Sequence, residues 1–151
     1  MCHRLVRCST CDLVYAVHPP GQDELANAYH AAEYDSPEEA NDAAEAYMRA
    51  IRPILARLPQ RHSALEIGTG TGVFLDHLAA AGFSDLVGVE PSSAAITAAP
   101  ASRQGWIREG IFREEDFSPA SFDLICCFMT MEHVSDPGEI ARSAFRLLRP
   151  R

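Results

Sequence analysis

The sequence contains no lysine: all 13 basic residues are arginine, set against 21 acidic ones for a formal net charge of −8. A surface built to hold nucleic acid is basic, so the charge balance argues against nucleic acid as a partner. Long apolar runs are also missing. The longest, Leu124 to Met129, is six residues, against ~20 for a helix that crosses a membrane. The opening Met1-Cys2-His3-Arg4 lacks the apolar core of a secretory signal. Cysteine is scarce and odd in number: Cys2, Cys8, Cys11, Cys126 and Cys127. An odd count without a signal points to the reducing cytoplasm and not to a disulfide framework. There is no internal repeat and no low-complexity tract. A length of 151 residues is that of one ordinary domain with a small appendage.

Two short apolar stretches, Leu5 to Arg7 and Leu13 to Val17, flank Cys8-Ser9-Thr10-Cys11. They read as a β-hairpin joined by a knuckle. The breaker cluster His18-Pro19-Pro20-Gly21 then marks a boundary, which divides the chain into a hairpin over 1–20 and a main domain over 21–151. A helix is expected from Gln22 to about Ala32. Asp23 to Glu45 holds eight carboxylates and no arginine, the composition of a solvated helix face. In the next helix Ser36 can cap, Pro37 suits the first position, and Glu39 completes a capping box. Tyr47, Ile51, Ile54, Leu55 and Leu58 form one apolar stripe, with a kink expected at Pro53.

From Ser63 strands and helices alternate. Ala64 to Ile67 reads as a strand, Val73 to Ala81 as a helix ended by Gly82, and Leu86 to Glu90 as a second strand. Ser92 to Ala99 is a helix stopped by Pro100, and Gly105 to Glu109 is a weaker third strand. Phe122 to Phe128 is the strongest strand, apolar enough to be central. Asp136 caps a last helix through Leu148. The alternation predicts a Rossmann-like three-layer αβα sandwich with a mostly parallel sheet. Cys126 and Cys127 read as buried thiols. His62 and His77 are expected on the surface.

The chemistry concentrates at Glu66-Ile67-Gly68-Thr69-Gly70-Thr71-Gly72, a glycine loop between a strand and a helix. Ligands of such sheets sit outside the carboxyl ends of the strands. The dinucleotide fingerprint Gly-x-Gly-x-x-Gly fails here, because Val73 stands at its third glycine. Glu66 would also repel a pyrophosphate. A carboxylate suits a cationic ligand, and S-adenosylmethionine (SAM) carries both a sulfonium and an α-ammonium. A second acid, Glu90, ends the next strand, where a carboxylate accepts hydrogen bonds from a ribose diol.

These motifs resemble those of class I SAM-dependent methyltransferases. Ala64 to Gly72 is similar to their first motif, and Leu86 to Ser92 to the acidic motif that follows. Phe122 to Phe128 resembles the fourth-strand motif. Glu132-His133-Val134, Asp136-Pro137 and Leu147-Leu148-Arg149-Pro150 resemble the segments after it. The resemblance implies that Glu66 faces the methionine ammonium, with Gly68, Thr69, Gly70 and Gly72 against the methionine and ribose. It implies that Glu90 holds the ribose hydroxyls, and that Pro91 and Ser92 line the adenine side. Gly110 and Ile111 would lie by the adenine ring, and Phe128, Met129 and Thr130 would close the pocket. His133 is a candidate base that takes a proton from the acceptor. The acceptor would be a small molecule.

The hairpin resembles the second knuckle of a zinc ribbon that precedes this domain in a subset of the family, as do Leu25, Tyr29 and Tyr34 after it. Cys8 and Cys11 would supply half of a structural zinc site, with only Cys2 and His3 near enough to add to it. Relatives continue past Leu-Leu-Arg-Pro into Gly-Gly and further strands, so both ends read as clipped. The fourth strand is then expected as an exposed apolar edge, to be covered by a partner or a second copy. A non-catalytic SAM-binding remnant is the alternative, and an NAD-dependent oxidoreductase is disfavoured by Glu66 and Val73.

Overall fold

The computed structural model describes residues 4–30 and 37–150. Cys2, His3, Tyr34, the Ser36 cap and Arg151 lie outside them. Two strands, β1 (Leu5–Arg7) and β2 (Val14–Ala16), form an antiparallel hairpin with Val6 opposite Tyr15. Helices α1 (Gln22–His30) and α2 (Pro37–Leu55) follow. The main domain then runs β3 (Ser63–Ile67), α3 (Val73–Ala80), β4 (Asp85–Glu90), α4 (Ser93–Ala98), α5 (Ala101–Gln104), β5 (Ile107–Glu109), β6 (Leu124–Cys127) and α6 (Pro137–Leu147). The four main-domain strands are parallel in the order β5-β4-β3-β6. The Rossmann-like sheet, the helical layers and the separate hairpin are those the sequence predicts.

The strand alternation explains the layers. Ala64 packs with Ile51 and Leu55 of α2 and with Phe74, Leu75 and Leu78 of α3 on one face. Leu65 and Ile67 point the other way and pack with Ile140 and Leu147 of α6. All five residues of β3 are buried, as a strand covered on both faces requires. α6 begins where its sequence indicates: the Asp136 carboxylate accepts from the Glu139 N–H at 2.8 Å, ahead of Pro137.

Several expectations need correction. β6 stands at the edge of the described sheet, as expected of a fourth strand with no further strand beside it, and not at the centre that its apolar run suggested. Its apolar run reflects cover on its two faces, which edge and central strands share. The edge is also not bare, because Phe122 pairs in parallel with Leu148 and the Arg149 N–H donates to the Phe122 carbonyl at 2.8 Å. Ile54 is 47% exposed, since it falls on the shoulder of a stripe centred on Ile51 and Leu55. α2 includes Pro53 and ends at Leu55, short of Leu58 at the end of the expected stripe. Pro100 stops α4 but also opens α5, a helix the sequence reading lacked, because its fixed φ suits a helix start. Cys126 is buried, whereas Cys127 is only partly so. His62 is exposed, and His77 is half-buried.

One carboxylate ties the amino ends of β3 and β6 to the chain beyond α6. Asp123 Oδ2 accepts from the His62 and Ser63 N–H groups at 2.9 Å each, and Oδ1 accepts from Gln60 Nε2 at 2.7 Å and Arg149 Nη1 at 2.8 Å. Burial opposes ionisation of Asp123. The Ser63 N–H and the Arg149 guanidinium more than offset this and hold its carboxyl well below the usual range. Asp123→Asn presents an NH₂ to donors that need an acceptor, and is expected to cost about 2–4 kcal/mol. Because the folded-state pKa is depressed, this contribution is present above the unfolded carboxylate pKa and lost as pH falls below about 4. Urea unfolding of both chains at pH 7 and pH 3 measures it: the gap between them should shrink at the lower pH.

Candidate functional site

The site forms at the carboxyl ends of β3, β4 and β6. β3 delivers Glu66, and the chain then turns through Gly68 and Gly70 with φ of +77° and +56°, a region that favours glycine. A Cβ on Gly68 would sit 2.1 Å from Thr130 Oγ1, so the loop after β6 packs directly on this turn. A Cβ on Gly70 would meet nothing within 4 Å. Gly70 lines the cavity, so its missing side chain leaves backbone open to a ligand. The turn is fixed from below, where the Gly68 and Thr69 N–H groups both donate to the Val89 carbonyl at 2.9 and 3.1 Å.

Both acids of the sequence reading face this cavity. Glu66 is 3% exposed. Burial pushes its carboxyl up to about 8; the Thr69 hydroxyl, which donates to it, pulls the other way, and the charge of Glu90 adds to the rise. Glu66 is therefore largely protonated at neutral pH. Glu90 Oε1 accepts from the Ser92 N–H at 2.8 Å and Oε2 from the Gly70 N–H at 2.7 Å. Burial raises its pKa, and the Ser92 and Gly70 N–H groups partly offset this. A carboxylate has about four acceptor positions, so each oxygen of Glu90 retains one for a ligand hydroxyl.

α2 roofs the cavity. Tyr47 stacks on Phe128 with ring centroids 4.2 Å apart and planes 4° apart, and Phe74 meets Phe128 edge-on at 5.3 Å. Burial raises the Tyr47 pKa, and the charges of Glu66 and Glu132 raise it further. The cavity volume is about 520 Å³, within the ~300–1,000 Å³ of small-molecule sites.

Of the residues singled out in the sequence, Glu66, Gly68, Thr69, Gly70, Glu90, Pro91, Gly110, Ile111, Phe128, Met129, Thr130 and His133 line this one cavity. Gly72 and Ser92 stand outside the lining and serve the frame. Gly72 is the left-handed N-cap of α3, and Ser92 caps α4 by accepting from the Ala95 N–H at 3.2 Å. The sequence reading missed Leu25 of α1, Ala40, Ala43 and Ala44 of α2, and Phe74 of α3. It assigned Tyr47 to the core and Glu39 to a cap, yet both line the cavity. Extending the α2 stripe back from Tyr47 through Ala44, Ala43 and Ala40 would have found the roof. Met129, with φ of +50° and 71% exposure, stands at the mouth in a conformation few non-glycine residues adopt.

Cys8 and Cys11 face each other across the knuckle, and backbone N–H groups of Thr10 and Cys11 lower the Cys8 pKa. A structural zinc takes four ligands. Among the described residues no group of three or more metal donors assembles, and Cys2 and His3 lie outside them. No described helix is long and apolar enough to cross a membrane.

Residues 39–151 match the family model of a methyltransferase domain. The ubiquinone biosynthesis O-methyltransferase of Methylococcus capsulatus is 28% identical over 116 residues, 68% of this chain and 48% of that protein. That of Neisseria meningitidis serogroup A is 29% identical over 93 residues, 57% of this chain and 39% of that protein. The chain thus spans less than half the length of these relatives. Among solved structures, a Thermotoga maritima SAM-dependent methyltransferase, described as a possible histamine N-methyltransferase, superimposes with a TM-score of 0.53 at 27% identity, covering 73% of this chain and 49% of its own. A Leishmania major SAM-dependent methyltransferase shares the fold with a TM-score of 0.59 at 18% identity, covering 99% of this chain and 72% of its own. The glycine loop, the two buried acids and the matched domain agree: the chain belongs to the methyltransferase domain family and has the class I, SAM-dependent fold.

Proposed function

We propose that this chain binds SAM in the cavity at the carboxyl ends of β3 and β4 and methylates a small-molecule acceptor held beneath α2. One observation carries the reading: two buried carboxylates, Glu66 and Glu90, converge on one cavity around a glycine turn whose backbone at Gly70 is open to it. A desolvated carboxyl held protonated while the site is empty fits a cationic ligand, which restores its charge on binding. A dinucleotide pyrophosphate, anionic and accepting only, would meet no arginine among the described lining residues and would oppose ionisation of Glu66 and Glu90.

In this reading Glu66 takes the α-ammonium and Glu90 the ribose diol. The Gly68 and Gly70 backbone lies along the methionine and ribose, and Pro91, Gly110 and Ile111 border the adenine. SAM supplies an electrophilic methyl group on a sulfonium. The stacked Tyr47 and Phe128, with Met129 and Thr130, exclude water and hold the acceptor in line, which does most of the work in such a displacement. His133 takes the proton from an acceptor oxygen or nitrogen where one must leave. One relative is named for transfer to oxygen and another, as a possible activity, for transfer to nitrogen, and the reading covers both. Reducing cytoplasm as the location rests on the odd cysteine count.

Calorimetric titration with S-adenosylhomocysteine, with NADH as control, tests the cofactor assignment. Micromolar binding of the former and none of the latter is expected. A folded chain that ignores S-adenosylhomocysteine, or prefers NADH, overturns the reading.

A further inference from the structure

The cavity is short of positive charge. Among the described residues its lining carries the carboxylates of the buried Glu66 and Glu90 and of the exposed Glu39, and no arginine. The sequence has no lysine to supply one. Four arginines elsewhere are engaged: Arg103 pairs with Asp76 at 2.7 Å, Arg149 with Asp123 at 2.8 Å, Arg113 with Asp23 at 3.8 Å, and Arg146 with Glu114. Glu132 lies near enough for its charge to act on Tyr47 and Cys127. SAM brings one net positive charge, and Glu66 and Glu90 together bring two negative ones, so the occupied site stays negative before Glu39 is added.

The roof has a direction as well. Glu39, Ala43 and Tyr47 follow one another at i, i+4 and i+8 on α2, and all line the cavity. They span ~12 Å along the helix at 1.5 Å per residue. The small alanine leaves space between a carboxylate at one end and the stacked Tyr47–Phe128 pair at the other. A flat apolar body suits the aromatic end, and a neutral or protonated end suits the carboxylate.

We infer that the acceptor is an aromatic-sized molecule bearing no anionic group, so that carboxylated and phosphorylated acceptors are rejected by the cavity's charge. This rests on the SAM reading above. A buried anion needs a partner, and here it would face like charges in a site partly shielded from solvent.

The test uses three phenols of similar size and different charge: tyramine, 4-ethylphenol and 4-hydroxyphenylacetate. Each is titrated into the chain saturated with S-adenosylhomocysteine at pH 8.5. Tyramine and 4-ethylphenol are expected to bind at least about tenfold more tightly than 4-hydroxyphenylacetate, and Glu39→Gln is expected to narrow the gap between tyramine and 4-hydroxyphenylacetate. Equal binding of all three, binding of none, or preference for 4-hydroxyphenylacetate overturns the inference. Failure to bind S-adenosylhomocysteine in the first step overturns the cofactor reading instead, so the two failures are distinguishable.

Discussion

Glu90→Ala is expected to weaken S-adenosylhomocysteine binding by at least about 100-fold and to lower unfolding stability by about 2–4 kcal/mol. The two effects have different origins. Binding falls because the acceptor for the ribose hydroxyls disappears. Stability falls because the Gly70 and Ser92 N–H groups, now bonded to its carboxylate at 2.7 and 2.8 Å, lose their acceptor in a buried setting. Glu90→Gln separates them. Its amide oxygen can still accept from one of these N–H groups, while its NH₂ faces the other. About half of the stability should return, with binding still at least tenfold weaker than in the parent. Titration calorimetry and urea unfolding of the three chains measure both quantities. If Glu90→Ala binds S-adenosylhomocysteine like the parent, Glu90 has been assigned to the wrong ligand group.

Glu66→Gln is expected to act in opposite directions on stability and on binding. In the empty chain the Glu66 pKa is raised to about 8 by burial, whereas in the unfolded chain it is an ordinary ~4.3. Between these values the folded state holds a proton that the unfolded state has released. Stability is therefore greatest at low pH for this group and declines as pH rises toward 8, then levels off. Glutamine has no such charge to suppress, and its amide oxygen still accepts from the Thr69 hydroxyl. The variant should be more stable than the parent by about 1–3 kcal/mol at pH 8 and should lose that slope. Its affinity for S-adenosylhomocysteine should fall by about 10–100-fold, because the ammonium finds an amide in place of a carboxylate.

The same linkage fixes the pH dependence of binding. Below pH 8 the site must release a proton to receive the ammonium, so affinity should drop by up to about tenfold per pH unit down toward pH 6. Titration in buffers of different ionisation enthalpy would count the proton released. A parent chain whose affinity is flat from pH 6 to 8, with no buffer-dependent heat, would contradict a protonated Glu66 in the empty site.

Much of the site was legible in the sequence because its chemistry is written locally. Glu66, Gly68 and Gly70 lie within five consecutive positions, and Glu90 closes the next strand, so the β-α-β rhythm alone carries them to one end of the sheet. Glycine at a turn and a carboxylate at a strand end have few structural uses in that setting. The hairpin and the cap of α6 were legible for a similar reason, since Asp136-Pro137 acts within one turn. What escaped came from a distance in the chain. The roof is supplied by α2, which precedes β3, and nothing in Ala40, Ala43 or Ala44 distinguishes a cavity wall from a packed interface until α2 is laid across the sheet. Tyr47 was read as core because an aromatic on an apolar stripe is the same in both roles. Its stacking on Phe128, 81 positions later, is a tertiary event.

The order of the strands was legible only in part: the edge place of the fourth strand was expected, but its apolar pattern pointed to the centre. β6 is as apolar as a central strand, because α2, α3 and α6 cover its faces, yet it stands at the edge with only the Phe122–Leu148 pairing beside it. Hydrophobic pattern reports which faces are covered and is blind to which strand is the neighbour. The sequence by itself determined the alternating α/β layers, the glycine turn and the pair of acids, since each depends on residues within a turn or a strand of one another. The tertiary structure alone decided that Glu66 is desolvated enough to hold a proton, that Glu90 accepts from both Gly70 and Ser92, and that an aromatic roof closes over both, because burial and charge environment are properties of what distant segments bring together.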